Sequence, residues 1–346
     1  MLSTWFEITI FPGFIFIIIL ALLSEQINSR LNSRFFISIE KTPMFIPMIE
    51  NFKLYLKGEK ESTSKKTILQ SIILVLMVAL PLFASLLLPI NLWGTLPSWA
   101  GVYGGYPGTN KGVVGVISFE GDLLFLFAII LFFGFLTFLA QYLNKQHFAK
   151  ESLTKTFTFM IFDIPLLFVL VSAIIAKRSL SLTLLAEDIR RIVNFNLAFG
   201  LVFLLPIAIS VSLFCLAMKF DQPYFDRINT TGIIRSNAPT PKNWKLNLWN
   251  LSMRLMEVVI AGLIVTVFLG GSYLPIPIHG DFQILVNTAN FILKCLVVLM
   301  ITTIIRALRP RMRINQTFNF ALKVLTPLSF LSILLTGGYI GLVGLN

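Results

Sequence analysis

"FILKCLVVLMITTIIRALRPRMRINQTFNFALKVLTPLSF", residues 291–330, sets two long apolar runs on either side of four arginines gathered within eight residues, Arg306 to Arg313. A helix needs roughly 20 apolar residues to cross the ~30 Å hydrocarbon layer of a bilayer, and both runs have that character. In such a solvent every backbone N–H and C=O needs an internal partner, so each run is expected to be helical. The arginines then mark a polar turn at a membrane face. Pro310 has no N–H to continue a helix and makes that turn tight.

The rest of the chain repeats this pattern. Of its 346 residues 56 % are hydrophobic and 13 % charged, with a mean hydropathy of +0.84. That composition lacks the polar surface a soluble protein of this length requires. Apolar runs fall at roughly 8–24, 67–89, 120–143, 154–176, 195–218, 249–270, 284–305 and 319–343. The expected fold is an all-α polytopic membrane protein, a single membrane domain over 1–346 with about eight transmembrane helices. Pro81, Pro165, Pro206 and Pro327 interrupt several runs, which packed neighbours can tolerate. The first run follows "MLSTWFE", with no basic region before it and no small-residue cleavage site after it, so it reads as a retained anchor.

Charge assigns the sides. The net charge of +12 would suggest nucleic acid in a soluble protein; in a membrane protein it reflects the retention of Lys and Arg in cytoplasmic loops. With eight crossings, the loops joining runs 1–2, 3–4, 5–6 and 7–8 hold 20 basic residues, and the opposite side holds 5. Both termini are therefore expected outside, and the arginine turn inside. Two cytoplasmic loops are long, 25–66 and 219–248. The first contains "PMFIPMIENFKLYLKGE" (43–59), where Phe45, Ile49, Phe52 and Leu56 recur at helical spacing and Glu50, Lys53 and Lys57 take the other side. This is the pattern of a short amphipathic helix lying in the interface. The external stretch "NLWGTLPSWAGVYGGYPGTNKG" (91–112) is rich in Gly, Pro and aromatics and reads as a cap or interfacial belt.

Charges within crossings are costly and point to function. Asp163, in "FMIFDIPLLF", lies about ten residues into the fourth run. Burial disfavours its ionised form, so it is either a proton carrier or a protonated acid bonded to a neighbouring helix. Arg254 and Glu257 stand three apart on the sixth run, the spacing of a helical ion pair. Lys294, mid-run with no local carboxylate, needs a partner on another helix, whereas Lys323 lies close enough to the boundary to snorkel. His147, His279, Cys215 and Cys295 are isolated, so no metal site is expected. No phosphate-binding loop, dinucleotide turn or nucleophile elbow occurs, so any redox centre belongs to a partner.

The quoted tail resembles the last two helices of the complex I subunit 1 family, the H subunit of bacterial NADH–quinone oxidoreductase and its relatives in energy-converting membrane hydrogenases. Lys294, Arg306, Pro310, Arg311, Arg313, Gln316, Lys323, Leu325 and Pro327 match at the right spacing. "FLGG" (268–271) closes the sixth run as in the family. The 43–59 stretch is similar to the family's first-loop helix, with Pro47, Glu50, Lys53, Leu54 and Glu59 in place. "FDIP" (162–165) takes the position of the family's Tyr-Glu-Val-Pro, which puts Asp163 where a membrane glutamate is expected.

There are departures. The family pattern Glu-x-x-Arg-x-Pro-Phe-Asp reads "MKFDQPYFD" from Met218, with Pro223 kept, Met218 for the glutamate, Asp221 for the arginine and Asp226 displaced by one. The glutamates that follow in the family are "RINTTG" in this chain. Arg30 and Arg34 are approximate remnants of a first-loop Gln-x-Arg-x-Gly-Pro. Lys155 stands one place beyond the basic position, and Glu257 one turn beyond the glutamate position that Met253 occupies.

The resemblance implies a membrane subunit of a complex I-like assembly in an energy-transducing membrane, a prokaryotic cell membrane. It would dock peripheral redox subunits that carry the iron–sulfur clusters, adjoin antiporter-like membrane subunits and contribute to a quinone site. Asp163, Glu50, Asp226 and Glu257 would relay protons, and Arg306, Arg311, Arg313, Gln316 and Lys53 would face the partner. The loss of acids also fits the anchor of a hydrogenase or sulfur-reducing complex that uses no quinone, or a scaffold without proton traffic. A stand-alone secondary transporter is the rival from another class.

Overall fold

The computed structural model describes residues 14–35, 65–90, 119–143, 149–177, 179–183, 185–186, 195–220, 244–272, 282–308, 312 and 314–343. Their regular structure is entirely helical: α1 (Phe14–Phe35), α2 (Lys65–Ser85), α3 (Asp122–Tyr142), α4 (Ala149–Met160), α5 (Asp163–Lys177), α6 (Phe195–Lys219), α7 (Trp244–Phe268), α8 (Phe282–Leu308), α9 (Ile314–Phe320) and α10 (Thr326–Val343). A π-helical stretch, Ala321–Leu325, joins the last two. Each expected run, within the described residues, coincides largely with helix. Among the described residues six segments are by themselves long and apolar enough to span a bilayer, and the first and fifth runs hold shorter apolar stretches, Phe14–Asn28 and Pro206–Lys219. The stretch 43–59, expected to form an interfacial helix, and both termini lie outside the described residues. Below, "inner" means the end that bears the basic connections.

The fourth run is not one rod, as its hydropathy suggests, but α4 followed by α5. Pro165 has no N–H to offer Ile161 O, and that carbonyl accepts from Ile164 N–H at 3.1 Å instead. The N–H groups of Ile161 and Phe162 likewise reach back only three residues, to Thr158 O and Phe159 O. The tightened turn ends α4 and makes Asp163 the first residue of α5. Pro327 has a related effect near the end of the chain. Just before it, Thr326 gives both its N–H and its hydroxyl to Ala321 O, five residues back, and the helix widens to the π form.

Around the bundle, burial separates centre from edge. The Leu248–Phe268 segment of α7 is 89 % buried, and α7 packs against α1, α2, α6 and α8. Gly262 allows close approach there, since a Cβ on it would stand 2.8 Å from Leu88 Cδ1. The last crossing is only 22 % buried and lies against α5 and α6. Its packed side carries Ser329, Ser332 and Thr336, while Leu328, Phe330, Leu331, Leu334 and Leu335 face outward. Small residues at helix contacts with large apolar ones turned away is what a lipid solvent favours, because lipid solvates leucine as well as the protein interior does. The three hydroxyls donate to carbonyls of their own helix, so none is left unsatisfied.

Candidate functional site

Two acids lie in the inner half of this bundle, each closed off from solvent and each paired differently. Asp163, 2 % exposed, opens α5 at the break caused by Pro165. Its Oδ1 accepts from Nζ of Lys219, the last residue of α6. Its Oδ2 is buried and has no hydrogen-bond partner among the described residues. That oxygen faces α3 at Gly134, where a Cβ would stand 3.8 Å from it and 3.4 Å from Met160 Cγ. The missing side chain of Gly134 therefore leaves the acid room on one side. A helix N-terminus also suits a negative charge, because its free N–H groups carry positive partial charge.

Glu257, 1 % exposed, sits in the unbroken middle of α7. Its Oε2 accepts from Arg254 at 3.0 Å, the helical pair expected from their spacing. Its Oε1 accepts from Arg306 of α8, whose Nε also donates to Ala217 O of α6 at 3.0 Å. One carboxylate thus ties three helices together. Breaking a buried pair by removing one partner costs about 3–5 kcal/mol, which marks this group as an anchor. Arg306, which the resemblance would turn toward a partner, points into the bundle. The signal was present in the sequence: Cys295, Leu299, Thr302 and Thr303 form the buried stripe of α8, and Arg306 continues it at helical spacing.

Toward the outer end the polar groups hold backbone. Asp122, fully buried at the start of α3, accepts from Leu182 N–H at 2.6 Å through Oδ1, and Leu123 N–H donates to Leu180 O at 3.4 Å. Lys294 finds its expected partners off its own helix, but they are carbonyls: Leu269 O at 2.9 Å and Gly271 O at 3.0 Å, beyond the C-terminus of α7. A cation suits that helix end. Gly270 and Gly271 have φ of 71° and 58°, values that L side chains rarely adopt, and so turn the chain there. Asn290, one turn before Lys294, donates to Ser272 O at 3.3 Å. Asp122 and Gly134 are twelve residues apart, about 18 Å along α3, and Leu126, Ile130 and Phe133 fill that interval.

Of the expected site residues, the structure brings Asp163 and Glu257 into the interior, places Arg306 with Glu257, and leaves Gln316 exposed on α9. Glu50, Lys53, Asp226, Arg311 and Arg313 lie outside the described residues. Lys219 and Asp122 are the groups that the sequence reading missed. Lys219 reads as the first residue of a loop, although Ala208, Ser212 and Cys215 form a buried helical stripe that leads to it. Asp122 has no signal of its own, because its partner is a backbone N–H sixty residues away.

Comparison with known proteins agrees with this architecture. A chain from the structure of the membrane-bound sulfane sulfur reductase, an archaeal respiratory membrane complex, superposes with a TM-score of 0.70 at 16 % identity, covering 93 % of this chain and 96 % of that one. The H subunit of the NADH-quinone oxidoreductase of Brevibacillus brevis is 39 % identical over 75 residues, 22 % of each chain. An H subunit of the same enzyme from Rhodopseudomonas palustris is 31 % identical over 139 residues, 37 % of this chain and 39 % of that relative. The matched stretches thus span well under half the length of these relatives. The family profile described as NADH dehydrogenase matches residues 6–337. An apolar helical bundle with that match over nearly its whole length is an integral membrane protein belonging to the NADH dehydrogenase family.

Proposed function

We propose that this protein is the membrane subunit of a complex I-like respiratory assembly, which docks a peripheral redox arm and couples electron transfer to proton translocation. The observation that carries this reading is Asp163: an acid in the membrane interior, at a helix break, with one oxygen on a lysine and the other oxygen open. An acid that carries protons has to lose and regain its charge without the fold coming apart, and a second, unengaged oxygen allows that. Glu257 cannot do so, since both its oxygens hold arginines. Of the expected relay residues that the structure describes, Asp163 is therefore the candidate, with Glu50 and Asp226 as candidates nearer the inner mouth. Arg311, Arg313, Gln316 and Lys53 are the docking groups: the two guanidinium groups fork two hydrogen bonds to partner carboxylates, and Lys53 and Gln316 add an ammonium and an amide as donors. Iron–sulfur clusters would reside in the partner subunits, with a quinone as electron acceptor and antiporter-like subunits alongside in the membrane.

A second reading, an anchor in a hydrogenase or sulfur-reducing complex without quinone, is favoured by one observation. Met218 stands at the family's glutamate position, and the next residue, Lys219, pairs with Asp163. That glutamate is thereby lost, and a base stands beside its position. Inhibition by quinone analogues separates the two readings, because only the first predicts it.

Mild detergent extraction tests the whole proposal. Iron–sulfur subunits are expected to co-purify, and charge reversal at Arg311 and Arg313 is expected to release them while the protein stays inserted. Recovery of a monodisperse, transport-active monomer would instead establish the stand-alone transporter.

A further inference from the structure

We infer that Lys219 is a positioning residue for proton transfer, a tethered cation that holds the Asp163 carboxylate between proton loads and is displaced by each load. The inference rests on the reading of Asp163 as a proton carrier and adds the group that controls it. Three observations support it. Lys219 ends α6 with its ammonium on Asp163 Oδ1, and both side chains are buried, 8 % and 2 % exposed. Asp163 Oδ2 has no partner among the described residues, so a proton can arrive on that oxygen without first evicting the lysine. The carbonyl of Ala217, two residues before Lys219, is held by Arg306 Nε at 3.0 Å, and Arg306 is also paired with Glu257. The backbone from which Lys219 extends is therefore fixed, while its four-carbon stem remains free to withdraw.

The cycle balances in protons. At rest the carboxylate and the ammonium form a neutral pair, which is the least costly way to keep two charges in this interior. A proton from water at the inner face binds Oδ2, and Asp163 becomes a neutral acid. The ammonium keeps its own three protons, loses its counter-charge and withdraws toward the inner boundary at the end of α6. When Asp163 gives its proton to the next acceptor, a water molecule or an acidic side chain, the carboxylate recaptures the lysine. A lysine that moves only when its partner is loaded prevents the acid from leaking charge between loads. A ligand held only by hydrogen bonds would lack this property, since a neutral donor does not compensate the charge.

The test uses the whole complex in vesicles, driven by its electron donor, with Lys219→Met, Lys219→Arg and Asp163→Asn compared. Two quantities are read: protons moved per electron, and the infrared band of a protonated carboxyl. Wild type is expected to show a carboxyl band that appears and disappears with turnover. Lys219→Met is expected to show that band permanently and to lose pumping while electron flow continues, and Lys219→Arg, whose fork holds the carboxylate ionised, is expected to lose both the band and pumping. Should Met at 219 prevent assembly, Lys219→Gln, which keeps a neutral donor, serves with the same two readouts. Loss of pumping in Asp163→Asn together with wild-type pumping in Lys219→Met or Lys219→Gln would overturn the inference and leave the role of Asp163 intact. Wild-type pumping in Asp163→Asn would overturn both.

Discussion

Asp163 and Glu257 are nearly equally buried, yet their surroundings assign them opposite tasks. Glu257 lies in a continuous helix with a guanidinium on each oxygen and links α6, α7 and α8. Asp163 lies at a break, with one lysine on one oxygen and a glycine opposite the other. Burial alone does not make an acid a proton carrier in a membrane. Asp122 also has a buried oxygen without a partner among the described residues; what sets Asp163 apart is that its other oxygen rests on a single flexible counter-ion, Lys219, at a helix break. A planar arginine fork is the wrong partner for that purpose, because its geometry holds an ionised carboxylate in place.

The largest effect that would sharpen this contrast is expected at Glu257. Glu257→Ala removes the carboxylate that Arg254 and Arg306 share, a loss of about 3–5 kcal/mol. The prediction is failure of the protein to accumulate in membranes, measured as folded subunit on native gels. Asp122→Ala should have a smaller consequence. It strips the buried Leu182 N–H of its acceptor, at a cost of about 1–3 kcal/mol. A lowered thermal midpoint of the extracted complex with an unchanged proton-to-electron ratio is expected, because Asp122 holds backbone about 18 Å from the level of Asp163. A fall in that ratio would show that the outer cluster takes part in coupling. The smallest effect belongs to Gly134→Ala. Its methyl would meet Met160 Cγ at 3.4 Å and Asp163 Oδ2 at 3.8 Å, ordinary contacts, so the gain in helix propensity over glycine should show as a stabilisation of about 0.5–1 kcal/mol. Gly134→Leu, in contrast, crowds the open oxygen and should lower pumping more than assembly.

The bundle itself was legible because a bilayer imposes length and apolarity on every crossing, and those are properties of sequence alone. The break before Asp163 was only half legible. Pro165 was visible, but proline within a crossing permits an unbroken helix as well as a broken one, and the choice depends on how Ile161 O is satisfied. Glu257 with Arg254 followed from spacing, whereas the third member, Arg306, needed α7 and α8 to be adjacent. Lys219 was hidden at a boundary where a lysine reaches the interface as easily as the interior. Only the nearness of α5 to α6 turns it inward. Helix pairing carried the information that periodicity lacked.

The central claim is that Asp163 carries the proton in the described part of this bundle. Redox-driven acidification of vesicles containing the assembled complex, with Asp163→Asn against wild type, tests it most directly. Unchanged assembly, continued electron flow and loss of proton movement are the predicted result. Proton movement at the wild-type ratio in Asp163→Asn would contradict the account.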